Sequence, residues 1–168
     1  MTTITAGRAI AFVVEGAAAT KGSAKGFYVQ SREQRARHLP GRVIITNDNP
    51  AAKAWQAQIA EGARLARVGG PLGRGELMAG AVAIELAFYL TRPLRLKSGQ
   101  VSHTTRPDVD KLARCVLDGL TGVLYGDDGQ VAALRITKAY AAGAEAPRVA
   151  ITVTETTIGD ASAPPLFT

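Results

Sequence analysis

Residues 106–131 read RPDVDKLARCVLDGLTGVLYGDDGQV. The stretch predicts a helix from about Val109 or Asp110 to Leu120, a turn at Tyr125-Gly126-Asp127-Asp128-Gly129, and a strand from Val131 to Tyr140. Leu112, Ala113, Val116 and Leu120 fall at helical spacing and form one buried face. Pro107 biases Arg106 toward extended backbone. If Asp108 and Asp110 are extended, their side chains point to one side. Asp110 can instead cap the helix. On the outer face Lys111, Arg114 and Asp118 project together.

Five of the chain's fourteen acidic residues lie in this stretch: Asp108, Asp110, Asp118, Asp127 and Asp128. Carboxylates held close together repel. A divalent cation between them offsets that cost, and Mg²⁺ takes carboxylate oxygens while keeping waters for substrate phosphates. The helix between the two acid pairs is expected to fold them back toward each other. Taken singly, the same residues also fit plain structural roles, since Asp-x-Asp pairs cap helices and Asp-Asp-Gly makes turns. A calcium loop is excluded, because the ligand series ending in Glu is missing.

Working outward, Val82–Leu90 is the clearest strand, and Ala9–Val14 is another. Phe27–Val29 and Arg42–Thr46 are short strand candidates, joined by a solvated connection, 31–38, that carries Arg32, Arg35 and Arg37. A helix is predicted from about Pro50 to Arg67, capped by Asp48 or Asn49, with Trp55, Ile59, Ala63 and Ala66 as its core stripe. Arg148–Glu155 is a last strand, expected to pair antiparallel with Val131–Tyr140. The order of elements argues a single α+β domain, a mixed β-sheet packed with two main helices.

The chain has 168 residues, 46% of them hydrophobic, enough for one ordinary core. A net charge of +6 points to a polyanionic partner, nucleic acid before an anionic membrane surface. Basic residues cluster in segments read as loops: Lys21 and Lys25, then Arg92, Arg95 and Lys97. One cysteine, Cys115, excludes an intrachain disulfide and is read as a core residue. The apolar runs are too short or interrupted for a membrane span, and the N-terminus lacks a secretory pattern, so a cytoplasmic protein is expected. His38 and His103 are read as solvated loop residues. No Gly-rich phosphate loop precedes a helix, which disfavours a small-phosphate hydrolase.

The arrangement R-P-D-V-D-K-L-A-R, then L-D-G-L-T-G, then D-D-G-Q-V resembles the RusA family of Holliday junction resolvases. That family pairs an R-x-D-x-D-N-L-x-K helix start and an L-D-A-L-T-like helix end with a D-D-x-Q-V turn. The resemblance implies a homodimeric, Mg²⁺-dependent endodeoxyribonuclease that cuts phosphodiester bonds in branched DNA, four-way junctions above all. The nuclease domain is expected over residues 1–156, and 157–168, with two prolines and no periodic pattern, is read as a flexible tail. By resemblance, Asp108, Asp110 and Asp128 match the family's metal-binding carboxylates, with Asp118 and Asp127 as lesser acidic positions. Lys21, Lys25, Arg92, Arg95, Lys97 and Arg106 would contact DNA.

Two positions depart from the pattern. Lys111 stands where the family usually has Asn, and Arg114 where it has a catalytically important Lys. Arg114 cannot act as a general base, because a guanidinium keeps its proton, but it can stabilise transition-state charge, and Lys111 can share that role. The departures leave a second reading open: a structural DNA-binding protein of the same fold, with impaired catalysis.

Overall fold

The computed structural model describes residues 7–21, 25–46, 49–95 and 102–156. Lys97 and the expected tail, 157–168, lie outside them.

The chain runs β1 (Ala9–Glu15), β2 (Lys25–Val29), α1 (Arg32–Ala36), β3 (Arg42–Thr46), α2 (Pro50–Val68), β4 (Ala81–Leu90), α3 (Val109–Leu120), β5 (Val131–Tyr140) and β6 (Arg148–Thr156). A four-stranded mixed sheet has the order β1-β6-β4-β5, and β2 and β3 form a separate antiparallel ribbon. This is a single α+β domain, as the sequence predicts.

The strand alternation decides which face is covered. Val82, Ile84, Leu86, Phe88 and Leu90 of β4, with Val149, Ile151 and Val153 of β6, point into the core. Helices α2 and α3 lie over them. Trp55, Ile59 and Ala63 form the buried stripe of α2, and Leu112, Val116 and Leu120 that of α3. The two helices approach closely at Gly119. A Cβ there would stand 2.9 Å from the Gln56 carbonyl oxygen and 3.0 Å from Ile59 Cβ, so any larger residue would push the helices apart.

Three expectations are corrected. The strands β5 and β6 are not neighbours: β6 lies between β1 and β4, and β5 pairs parallel with β4. The reason is α3, whose apolar face must lie on the sheet, so β4-α3-β5 closes as a crossover. The 31–38 connection contains a helix, α1, held by a capping box between Ser31 and Gln34. His103 is not solvated but 8% exposed, with its ring 4.5 Å from that of Tyr140.

Candidate functional site

The acids sit on α3 and its flanks, and the sheet positions both ends of that helix. At the N-terminal end, Asp108 is the N-cap residue, extended in backbone, though its side chain makes no capping bond. Its carboxylate is exposed and stands 3.4 Å from Lys111 Nζ. Asp110 follows in the first turn, also exposed, with no ion pair among the described residues. Negative charge is favoured here by the unpaired N–H groups of the first turn.

The segment before Asp108 is fastened to β5. Lys138 Nζ donates to the Thr105 carbonyl at 2.7 Å and to the Pro107 carbonyl at 2.8 Å. Ser102 bridges to Ala139. His103 packs beneath, and burial, then the Lys138 charge, holds its pKa below the ordinary imidazole range, so the ring is neutral at pH 7. The bond between Arg106 and Pro107 is cis. Beside this segment a cleft of about 430 Å³ is lined by Thr20, Arg106, Pro107, Asp108 and Lys111.

The other acids belong to the far end. Asp127 caps a 3-10 turn, Asp128–Gln130, and accepts from the Gly129 amide at 2.7 Å. Asp128 accepts from the hydroxyl of Thr121, the C-cap residue of α3. Gln130 ties this turn to the start of β4. Its Oε1 accepts from the amides of Gly126 and Asp127, and its Nε2 donates to the carbonyls of Met78 and Gly80, both at 2.9 Å. Asp118 sits between the ends, 2.6 Å from Lys21 Nζ and accepting from Gln56 at 2.9 Å.

Helix α3 has 12 residues, so it is about 18 Å long. It therefore separates Asp108 and Asp110 from Asp128 rather than folding them together. Among the described residues no group of three or more His, Cys, Asp or Glu side chains stands close enough to hold a metal ion. The pair Asp108 and Asp110 still suits a hard cation, because Mg²⁺ is commonly held by one or two carboxylates plus substrate phosphates.

The basic residues divide. Arg106 and Arg95 are exposed, Arg106 on the cleft rim, and Arg114 is exposed on α3. Lys25 opens β2. Arg92 is half-buried and already engaged, and Lys21 is taken up by Asp118. Cys115 is fully buried, its thiol pushed up to about 11 by burial first, which makes it inert.

Over residues 28–154 the sequence matches the family described as Endodeoxyribonuclease RusA. The chain belongs to the RusA family. RusA proteins are endodeoxyribonucleases by description, and the match takes in the end of β2 from Tyr28, both main helices, the acid turn and the strands from β3 to most of β6. A relative, the Uncharacterized protein YqaN of Bacillus subtilis (strain 168), is 30% identical over 89 residues, covering 47% of this chain. The alignment spans 61% of that relative's length. No described helix is long and apolar enough to cross a membrane.

Reading along the chain missed Lys138 and Gln130, because each acts through backbone carbonyls distant in sequence. Lys138 holds the backbone that leads into Asp108, so on the reading of Asp108 as a metal ligand it would act as a positioning residue. Replacing it with Met is expected to cost roughly 10- to 100-fold in cleavage, the scale of lost second-layer support at metal sites. The Mg²⁺ concentration for half-maximal rate should rise as well, and Lys138→Arg should recover part of the loss. A Mg²⁺ titration of cleavage rate checks this. An unchanged Mg²⁺ dependence would confine Lys138 to a structural role.

Proposed function

We propose that this RusA protein is a Mg²⁺-dependent endodeoxyribonuclease that cuts branched DNA, four-way junctions above all, as a homodimer. The observation that carries the proposal is the exposed pair Asp108 and Asp110, at a helix N-terminus beside a cleft rimmed by Arg106 and Lys111. Carboxylates alone repel a phosphate backbone, and the flanking cations counter that.

Asp108 and Asp110 would hold the cation, which when bound supplies Lewis-acid activation of a phosphate oxygen and of water. The protein's own groups do the rest. Lys138 fixes the segment that leads into Asp108. Arg106 and Lys111 draw the phosphate into the cleft. Arg114, always protonated, balances charge that develops on the phosphate in the transition state.

Asp128 is the third expected metal carboxylate, and its distance argues for the dimer. It stands at the far end of α3, so it can complete the Asp108 site only from a second copy. A two-fold pair of chains would then carry two equivalent centres, one for each of the two cuts that resolve a junction. The setting that fits such a substrate is cytoplasmic.

Incubation of the full chain with a labelled four-way junction, linear duplex and flap DNA tests the proposal. Paired cuts across the junction in Mg²⁺, lost in EDTA, are expected. Junction binding with no cutting at any Mg²⁺ concentration would instead support the reading as a structural DNA-binding protein, for which the Lys111 and Arg114 departures speak.

A further inference from the structure

The ribbon β2–β3 shows surface that neither the acid site nor the core uses. It forms its own two-stranded sheet. Two-stranded ribbons without a packing partner are only marginally stable in water. Yet this one exposes apolar side chains on both sides: Phe27 is 51% exposed, Tyr28 63% and Val43 65%, with Val29 and Ile44 partly open. The register pairs Phe27 with Ile44, Tyr28 with Val43 and Val29 with Arg42. Phe27, Val29, Ile44 and Arg42 therefore share one face, and Tyr28 and Val43 the other. Tyr28 is anchored, its hydroxyl accepting from the Gly41 amide at 2.7 Å. Exposed apolar surface of this kind marks a contact site.

Charge decides what the ribbon contacts. Residues 25–46 hold five basic residues, Lys25, Arg32, Arg35, Arg37 and Arg42, against one acid, Glu33. A second copy docked ribbon to ribbon would set these like charges against each other. Nucleic acid suits them, and aromatic rings beside cations are the recurring platform for unstacked bases.

Placement points the same way. The ribbon's root is next to the acid site. Asn49, just after β3, donates from its side-chain amide to the Thr20 carbonyl at 2.9 Å, and Thr20 lines the cleft with Asp108. Lys21 is fixed to Asp118 of α3 at 2.6 Å.

We infer that the β2–β3 ribbon is a wedge that enters the branch point of DNA bound at the acid site, with Phe27 and Tyr28 stacking on the base faces that open on either side. The inference rests on the reading of branched DNA as substrate. It adds a second recognition element: phosphates would be held at the cleft, and the branch itself read by the ribbon. That would separate branched from linear DNA without any base-sequence contact.

The test is a cycle between Phe27 and the branch bases, with binding measured in Ca²⁺ on the full-length chain. Phe27→Leu keeps an apolar side chain on the ribbon but removes the ring. It should weaken binding to an intact four-way junction on the order of 5- to 150-fold, the range for one lost base–aromatic stack. On a junction whose branch nucleotides are abasic, the same substitution should have no further effect, because the partner is already gone. Linear duplex binding should not change, and Phe27→Trp should bind the junction like the wild type. Equal losses on intact and abasic junctions, or no loss on either, would overturn the inference. So would a fall in sedimentation mass with Phe27→Leu, which would make the ribbon a contact between copies. If the wild type shows no preference for junctions over linear duplex, the branched-DNA reading falls and the wedge with it. If it does prefer junctions and Phe27→Leu leaves that preference intact, the wedge alone is lost.

Discussion

Asp110→Asn is expected to abolish cleavage of a four-way junction while its affinity for that junction holds or rises. Asp110 lies in the first turn of α3, exposed and without an ion pair among the described residues, so its charge is available to a cation. The amide has nearly the same shape and so leaves the helix start intact. It removes one full negative charge beside the incoming phosphate, which lowers repulsion of DNA. It also weakens the hold on Mg²⁺, whose Lewis-acid contribution amounts to several kcal/mol. A fall of roughly a thousandfold or more, about 4 kcal/mol, is expected in the cleavage rate. Cutting and gel-shift affinity measured on the same junction check both halves. Wild-type cutting by Asp110→Asn at saturating Mg²⁺ would remove Asp110 from the metal site.

The second large effect concerns the partner copy. Asp110→Asn and Asp128→Asn chains, each expected to be inactive alone, should recover cleavage when mixed and allowed to exchange copies. The argument is geometric. If a centre takes Asp108 and Asp110 from one chain and Asp128 from the other, a mixed pair gathers both substitutions into one centre and leaves the other intact. About half of a randomly mixed population would be such pairs. Each would nick one strand but not make the paired cut, so nicked junctions should accumulate in place of resolved duplexes. If each chain built its own complete centre, every centre in a mixed pair would carry one lesion, and no nicking would return. The product pattern on a denaturing gel therefore decides the origin of Asp128's partners.

The two main helices and the four strands of the main sheet were legible because each shows its own periodicity or run of β-branched and apolar residues. Trp55, Ile59 and Ala63 recur at helical spacing and are buried as expected. So do Leu112, Val116 and Leu120. The acid-helix-turn-strand order could be read because Pro107, the Asp residues and Gly129 punctuate it. The sheet order was not legible. Neighbours in sequence are the default partners, and only the need of α3 to cover the sheet makes β5 run parallel to β4. The separation of the acids was missed for a similar reason. Charge pattern along the chain does not measure distance, whereas 12 residues of helix do. Short α1 went unpredicted because its residues carry no apolar stripe; a local capping box holds it. His103 was misjudged because one polar residue in a loop gives no sign that Tyr140 and Lys138, on β5, close over it.

Gln130 gives the far end of α3 an unusual status. The turn that carries Asp128 is exposed, short and rich in glycine, the composition of a segment that opens on its own. Yet the four bonds of one side-chain amide join it to residues 78 and 80, at the entry to β4. Local opening would have to break the turn's amide bonds and release the carbonyls of Met78 and Gly80, just before β4, together. The turn therefore belongs to the cooperative unit of the sheet, and its amide hydrogens should exchange with solvent at the slow pace of the central strands rather than at the pace of a loop.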